Sequence, residues 1–385
     1  MVEKFHIQTK LLHNTHKIDQ STGAVSVPIQ HSSTFHQYSF DEFGDYDYAR
    51  GSNPTRKALE EVIAELESGT RGFAFASGMA AISTAFLLLS KGDHVVITED
   101  VYGGTYRFVT EVLPRFGIDH TFVDMTNAAE VEKNIRDNTK LIFLETPSNP
   151  TLKITDIRAI VKIAKTYNCL TFCDNTFLTP VFQRPLELGV DLVIHSATKF
   201  LGGHSDVVAG LAVVKDEELG KQLAFLHNSF GAILGVQDSW LVLRGLKTLQ
   251  VRMNASTAAA ETIALWLTKQ PEIKNVFYPG LPNHPGKLIQ EQQSASHGAV
   301  LSFEFPTKQA AKTFVENVKL PVFAVSLGAV ETILSYPATM SHGSMPKAER
   351  EKRGITDGLL RLSVGLEAVE DLINDFKQAL EVVKK

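Results

Sequence analysis

Short apolar runs alternate with stretches of helical periodicity through the first two thirds of the chain. The apolar runs predict strands at residues 73–76, 95–98, 141–144, 170–174 and 192–195. Between them, apolar side chains recur every three or four positions, which predicts helices at residues 56–66, 79–89, 105–115 and 157–167. Strands alternating with helices are typical of crossover units. We therefore predict an α/β fold with a mostly parallel sheet and helices on both faces.

The pattern changes after Arg244, where a helical stretch is predicted at about residues 246–268. Turn-rich segments then lead to a predicted strand at 300–305 and a last helix at 370–384. Residues 1–50 have weak periodicity but carry five aromatic side chains between Tyr38 and Tyr48, which suits an extended arm packed on another surface. The sequence thus predicts an arm at 1–50, a large domain at 51–245 and a smaller C-terminal α/β domain at 246–385.

Composition narrows the classes of partner. The formal net charge is −5, which gives no basic surface for nucleic acid or an anionic membrane. The longest apolar run, near residues 80–89, is far shorter than the roughly 20 residues of a membrane span, and the first ten residues lack a signal-peptide core. The two cysteines, Cys169 and Cys173, are interpreted as small core residues rather than a metal pair. A cytoplasmic protein without a bound metal is expected.

Three local features suggest one kind of chemistry, whereas phosphate-loop, zinc-protease and serine-hydrolase motifs do not occur in the sequence. Ser77-Gly78-Met79 follows a predicted strand and begins a helix, a position suited to binding phosphate. Lys199 follows Ser196 and Thr198 at the end of another strand, where it could form a Schiff base. Taken one by one, these could be an ordinary helix cap and a surface lysine.

The third feature is Asp174, at the end of the strand predicted for residues 170–174. A carboxylate there could pair with a protonated ring nitrogen, as in enzymes that use pyridoxal 5′-phosphate (PLP), or it could simply cap a turn. Because the carboxyl ends of parallel strands share one edge of a sheet, the three features together predict a single cofactor crevice.

Longer motifs carry a family resemblance. They are Tyr48-Ala-Arg50-Gly-Ser-Asn-Pro-Thr-Arg56, Ser77-Gly-Met-Ala80, Asp100-Val-Tyr-Gly-Gly-Thr105, Glu145-Thr-Pro-Ser-Asn-Pro150, Asp174-Asn-Thr-Phe177, Ser196-Ala-Thr-Lys-Phe200 and Ser326-Leu-Gly328. In order and spacing, from about residue 6 to the end, they resemble the cystathionine-metabolising PLP-dependent family. The resemblance implies the aspartate-aminotransferase-like (type I) fold, PLP as the cofactor, an amino-acid substrate, and a homotetramer built from active dimers.

The resemblance also implies roles for individual residues. Lys199 resembles the lysine that carries the cofactor, Asp174 the partner of its ring nitrogen, and Tyr102 the side chain stacked on its ring. The implied phosphate contacts are Gly78, Met79, Ser196 and Thr198, with Tyr48 and Arg50 reaching the phosphate from a neighbouring subunit. Arg361 resembles the arginine that binds the substrate α-carboxylate, assisted by Asn149 and Ser326.

Two positions at which this chain departs from the pattern of the γ-acting family members predict its branch of the family. Enzymes that act at the γ-carbon often carry Glu directly before the Ser-Leu-Gly motif, where this chain has Val325, and methionine γ-lyases often carry Cys at the position of Gly104. Both departures favour β-elimination of L-cystathionine to homocysteine, pyruvate and ammonia, in methionine biosynthesis.

Arg107 matches a position that can meet the distal carboxylate of the substrate, or it is an exposed helix residue. Lys199 or Tyr102 would protonate the leaving thiolate.

Three alternatives stay open from the sequence. The nearest is a γ-acting member of the family: a γ-synthase, a γ-lyase or an O-acylhomoserine sulfhydrylase. A dinucleotide-dependent oxidoreductase would suit a doubly wound sheet, although the G-x-G-x-x-G motif is missing. A paralogue that binds PLP without catalysis is the third.

Overall fold

The computed structural model describes residues 5–13 and 18–384. The strands in chain order are β1 Arg71–Phe75, β2 His94–Thr98, β3 Asp119–Val123, β4 Thr139–Glu145, β5 Leu170–Asp174, β6 Leu192–Ser196, β7 Gly210–Val214, β8 Asn275–Phe277, β9 Val300–Glu304, β10 Val322–Phe323, β11 Ile333–Ser335 and β12 Leu359–Ser363.

The helices in chain order are α1 Ile7–His13, α2 Pro54–Leu66, α3 Gly78–Phe86, α4 Gly103–Arg107, α5 Ala128–Lys133, α6 Ile157–Thr166, α7 Thr179–Phe182, α8 Glu217–Phe230, α9 Val236–Leu246, α10 Leu249–Leu267, α11 Lys287–Gln293, α12 Lys308–Asn317, α13 Lys347–Lys352 and α14 Val369–Val383. The chain divides into two compact units. The first contains Met1–Leu88 and Arg184–Gln250, and the second contains Leu89–Gln183 and Val251–Lys385.

The first unit is built on a ladder of three strands. Strand β7 pairs antiparallel with both β1 and β6, so β1 and β6 run in the same direction. Helix α2 starts where Asn53 accepts hydrogen bonds from the backbone N–H groups of Thr55 and Arg56, and Pro54 occupies the first helical turn. Helix α3 follows β1 after two residues, so its N-terminus lies at the end of that strand.

The second unit holds a parallel ladder, in which β2 pairs with β3 and β4, and β4 pairs with β5. Strands β2 and β4 are buried almost throughout, as expected when helices cover both faces of a sheet. The unit also holds a five-stranded sheet in the order β10-β11-β12-β9-β8. A cluster of phenylalanines that includes Phe303, Phe314 and Phe376 packs beneath this second sheet.

Most of the predicted elements lie within a few residues of those observed, but one helix differs. The helix predicted for 105–115 ends at Arg107, and a π-helical turn at Phe108–Val112 and a 3-10 turn at Leu113–Phe116 follow. Pro114 lacks an N–H group, which disfavours a continuous α-helix there. The long helix predicted for about 246–268 is observed as α10, at Leu249–Leu267.

Three further features of the described residues concern membrane spans, metal ligands and cysteines. In the part of the chain that the structure describes, no helix is long and apolar enough to cross a membrane. Among the same residues, no group of three or more His, Cys, Asp or Glu side chains could hold a metal ion. Cys169 and Cys173 are both buried and unoxidised, in agreement with their interpretation as core residues. The boundaries at residues 50 and 245 stay a prediction of the sequence pattern.

Candidate active site

The start of α3 forms a cradle against the end of β6 in the first unit. Ser77 caps the helix by accepting a hydrogen bond of 3.0 Å from the N–H of Ala80. A Cβ atom on Gly78 would lie 2.9 Å from the Cβ of Ser196, so only glycine leaves this approach open. Helix geometry leaves the first N–H groups without partners in the helix, which makes the cradle suitable for a phosphate group.

The turn after β6 carries the predicted lysine. The backbone N–H of Lys199 donates to the carbonyl of Ser196 at 3.2 Å, which folds the chain back on the strand end. The hydroxyl of Thr198 accepts a hydrogen bond of 3.0 Å from the N–H of Ala209 and donates one of 3.2 Å to its carbonyl. Lys199 is half-buried.

Tyr48 and Arg50 lie on an irregular segment of the first unit that a buried arginine holds in place. Arg56 donates hydrogen bonds to the carbonyls of Ala49 and Arg50, at 2.7 and 3.1 Å. The guanidinium of Arg50 lies 5.8 Å from the centre of the Tyr48 ring, and half of Tyr48 is exposed. The guanidinium of Arg50 and the phenol of Tyr48 therefore lie together at the surface of this unit, where another molecule could contact them.

Two acidic side chains meet at the ends of neighbouring strands in the second unit. Glu145 ends β4, Asp174 ends β5, and the two are paired in register. Both are buried, with exposed fractions of 5% and 8%. Burial raises the pKa of Glu145 well above its usual range, and the neighbouring Asp174 carboxylate raises it further. Asp174 accepts a hydrogen bond of 2.9 Å from the N–H of Thr176, which orients its carboxylate.

Tyr102 directly precedes α4, and its backbone is hydrogen-bonded to Glu145 of this acidic pair. Its backbone N–H donates to Oε2 of Glu145 at 3.0 Å, whereas 40% of its side chain is exposed. The next residue, Gly103, has no room for a side chain, because a Cβ atom would collide with the carbonyl oxygen of Ser341. The backbone of Tyr102 is thus held on both sides while its ring stays accessible.

Arg361, on the buried strand β12, lies at the centre of the most complete cluster of the second unit. Its guanidinium donates to Oδ1 of Asn149 at 2.9 Å, to the carbonyl of Ser326 at 2.6 Å and to the hydroxyl of Ser335 at 3.2 Å. Its Nε is buried and has no hydrogen-bond partner among the described residues. Burial lowers the pKa of Arg361 to about 10. A buried arginine with an unused donor suits a carboxylate ligand.

The partners of Arg361 are themselves held in place. Ser148 and Thr151 both donate hydrogen bonds to the buried carboxylate of Asp100, and Asn149 lies on the loop between them. Ser326 adopts a φ of +91°, an unusual backbone conformation for a residue with a side chain. Strained positions of this kind are concentrated at functional sites. The conformation directs the Ser326 carbonyl to the guanidinium.

The structure thus separates the predicted residues into two groups. In the first unit it brings together Gly78 and Ser196, and it places Lys199 in the turn that follows. In the second unit it brings Arg361 together with Asn149 and Ser326. Arg107 is exposed at the end of α4, and the side chain of Val325 is also exposed. The prediction that both groups serve one crevice stays a prediction of the sequence.

Sequence reasoning assigned no role to several residues that support these groups. They are Arg56, Asp100, Glu145 and Ser335. The first three lie inside the motifs quoted above, but a motif does not reveal which carbonyl or N–H group a side chain will reach. Ser335 lies outside those motifs and comes close to Arg361 because β11 and β12 pair in register at these two positions.

Comparison with known proteins gives consistent results. The model of the family described as Cys/Met metabolism PLP-dependent enzyme matches residues 8–381. A protein of Bacillus subtilis named cystathionine beta-lyase MetC is 69% identical over 377 residues, which is 98% of this chain and 97% of that protein. A cystathionine gamma-lyase of the same organism is 52% identical, over 97% of this chain and 99% of its own length.

A solved structure is similar over the whole chain. The cystathionine gamma-lyase from Lactobacillus plantarum, complexed with L-serine, superposes with a TM-score of 0.97 at 46% identity and covers 99% of this chain and 100% of its own. The predicted α/β fold of the PLP-dependent lyases is therefore confirmed.

Proposed function

Because the chain belongs to the Cys/Met metabolism PLP-dependent enzyme family, we propose that it is a carbon–sulfur lyase that cleaves L-cystathionine by β-elimination. The products are homocysteine, pyruvate and ammonia. The observation that carries this proposal is the 69% identity to a relative named cystathionine beta-lyase MetC over nearly the full length of both proteins. Val325, an apolar residue in front of the Ser-Leu-Gly motif, supports the same choice.

The residues of the first unit suit the attachment of the cofactor. Gly78 and Met79 at the start of α3, with Ser196 and Thr198 after β6, would bind the phosphate of PLP. The open approach between Gly78 and Ser196 fits that group, since a Cβ atom there would close it. Lys199 is the attachment point, and Tyr48 with Arg50 would contact the phosphate from a neighbouring subunit. When bound, PLP supplies a protonated ring that takes up electrons released from the substrate.

The residues of the second unit suit the ring and the substrate. The Asp174 carboxylate would bind the ring nitrogen and keep it protonated, and the accessible side chain of Tyr102 would stack on the ring. Arg361 would bind the substrate α-carboxylate, with its Nε supplying a donor that the protein leaves unused. Asn149 and Ser326 orient the guanidinium. Arg107 would meet the distal carboxylate.

The proton transfers need one mobile amine. The Nζ atom of Lys199 would remove the proton from the α-carbon of the substrate, and a neutral amine is the form that can do so. Departure of the thiolate from the β-carbon then requires a proton on sulfur. Lys199 would return that proton, with the hydroxyl of Tyr102 as the alternative donor.

A γ-elimination is the second candidate, because a cystathionine gamma-lyase is also 52% identical to this chain. The products formed from L-cystathionine by the purified protein with PLP separate the two. Homocysteine with pyruvate would support β-elimination, and cysteine with 2-oxobutyrate would replace it by γ-elimination. A yellow protein that forms neither would favour a paralogue that binds PLP without catalysis.

We also propose a homotetramer of active dimers located in the cytoplasm. The side chains of Tyr38, Phe40 and Phe43 are exposed close together in sequence. Groups of exposed aromatic side chains often mark protein–protein contacts, which supports an intersubunit role for the N-terminal arm. Light scattering during size-exclusion chromatography measures the mass directly. A monomer would contradict both the assembly and the phosphate contact assigned to Tyr48 and Arg50.

A further inference from the structure

Glu145 has no part in the reaction as proposed, yet it lies at the centre of the acidic cluster in the second unit. It ends β4 beside Asp174 on β5, and the side chains of paired residues on parallel strands project from the same face of a sheet. Adjacent strands are only about 4.8 Å apart. Ionisation of both of two buried carboxyl groups on neighbouring strands is therefore disfavoured, because the two negative charges repel each other.

The charges around the pair indicate which carboxylate is neutral. Asp174 and Asp100 are the acidic neighbours of Glu145, and both raise its pKa, with burial as the larger cause. The N–H of Tyr102 and the cationic Arg361 oppose them, but burial and Asp174 are the larger influences on the pKa of Glu145. Asp174 has a backbone N–H donor, from Thr176, directed at its carboxylate. Glu145 also accepts one backbone N–H, so it is the lower intrinsic pKa of an aspartic acid side chain that favours Asp174 as the charged member of the pair.

Glu145 also has a structural connection to the ring-stacking residue. Its Oε2 accepts the N–H of Tyr102 at 3.0 Å. A protonated carboxylic acid keeps one carbonyl oxygen that can still accept this bond, although a carboxylate would accept it more strongly. The neutral acid therefore satisfies the Tyr102 backbone without adding a second negative charge beside Asp174.

We propose that Glu145 is a positioning residue that carries a proton, anchors the backbone of Tyr102 and leaves Asp174 as the charged acid for the cofactor ring. This inference rests on the proposed function for the role of the cofactor, but the protonation of Glu145 can be measured without any turnover. Glutamine has the shape of the neutral acid and keeps a carbonyl acceptor, so Glu145→Gln should preserve the role. Glu145→Ala removes the acceptor.

The first experiment is infrared difference spectroscopy on the full chain at neutral pH, with and without PLP. Subtracting the Glu145→Gln spectrum from that of the unmodified protein should reveal a band of a protonated carboxylic acid. The matched control is Glu304→Gln. Glu304 is also buried, but hydrogen bonds from Asn275, Lys274 and Thr356 lower its pKa, so its subtraction should reveal only an ionised carboxylate. An ionised carboxylate band for Glu145 overturns the proposal.

The second experiment measures PLP binding by equilibrium titration of the cofactor-free protein. Glu145→Gln should retain the affinity of the unmodified protein, whereas Glu145→Ala should weaken it roughly ten-fold, because the N–H of Tyr102 loses its acceptor. Equal weakening in both variants overturns the positioning role. If the alanine variant does not fold, the glutamine variant alone decides, since a loss of affinity there contradicts a neutral acid. Absence of cystathionine cleavage would refute the proposed function and leave the infrared result standing.

Discussion

Oδ1 of Asn149 accepts a hydrogen bond of 2.9 Å from the guanidinium of Arg361, across 212 residues of sequence. The contact is buried, and it uses one arm of the arginine while Nε stays without a partner. Asn149, together with Ser326 and Ser335, therefore fixes the direction in which the remaining donor points. This relationship supports the proposal that Arg361 binds a carboxylate.

Replacement of Arg361 by lysine tests that interpretation. Lysine keeps the charge but loses the planar fork that matches a carboxylate, so kcat/KM for L-cystathionine should fall about a hundred-fold. Asn149→Ala removes one of the three groups that hold the guanidinium and leaves the contacts with Ser326 and Ser335, so a smaller loss of about ten-fold is expected. Steady-state pyruvate formation measures both. Arg136→Lys, at an exposed ion pair with Asp119, is the matched control and should behave as the unmodified enzyme.

Lys199→Ala should abolish turnover, because it removes both the attachment point of the cofactor and the base at the α-carbon. The variant is expected to lose the visible absorption of the attached cofactor as well as pyruvate formation. Lys140→Ala changes an exposed lysine on β4 and should leave both unchanged. Near-normal activity of Lys199→Ala would contradict the proposal that Lys199 carries the cofactor and acts as the base.

Gly78→Ala tests the phosphate cradle. The new methyl group would lie 2.9 Å from the Cβ of Ser196, closer than real contacts allow, so either the helix start or the strand end must shift. Overpacking of this kind amounts to about 2 kcal/mol, which corresponds to roughly thirty-fold weaker PLP binding. Gly235→Ala is the control, since its methyl group would meet only Oδ2 of Asp238 at 3.5 Å. Unchanged PLP affinity in Gly78→Ala would contradict the proposal that the phosphate binds at Gly78.

The stability of the protein should fall in mild acid because of His342. This side chain is fully buried, and Nε2 lies 3.2 Å from the carbonyl oxygen of Val101. Burial lowers its pKa from 6.5 to about 4. Between these two values the unfolded chain binds more protons than the folded one. The stabilisation is therefore complete above pH 6.5 and is lost as the pH falls towards 4.

The predicted size of this effect is at most about 3 kcal/mol in the free energy of unfolding. Urea denaturation at a series of pH values would measure it. His342→Gln should flatten the dependence, whereas His6→Gln, at an exposed position, should not alter it. A slope that is the same in all three proteins would assign the acid sensitivity to other groups.

Much of the fold followed from periodicity. Strand β5 was predicted with its observed ends, and β2, β4 and β6 were predicted within two residues, because buried parallel strands are continuous apolar runs. Strand β3 was missed: its sequence, Asp-His-Thr-Phe-Val, is mostly polar, and only Val123 is fully buried. Helix α9, at Val236–Leu246, was also not predicted.

The sequence alone determined the chemistry that this chain can support. A lysine, an aspartate, a glycine-based helix start and an arginine occur in motifs whose order is specific to one family, and those motifs are readable because each is local. What only the tertiary structure decided is which partners hold these residues. Asn149 and Ser335 reach Arg361, and Glu145 reaches Tyr102, over separations of 26 to 212 residues. Strand register and loop path set these contacts, and neither is encoded in a short stretch of chain.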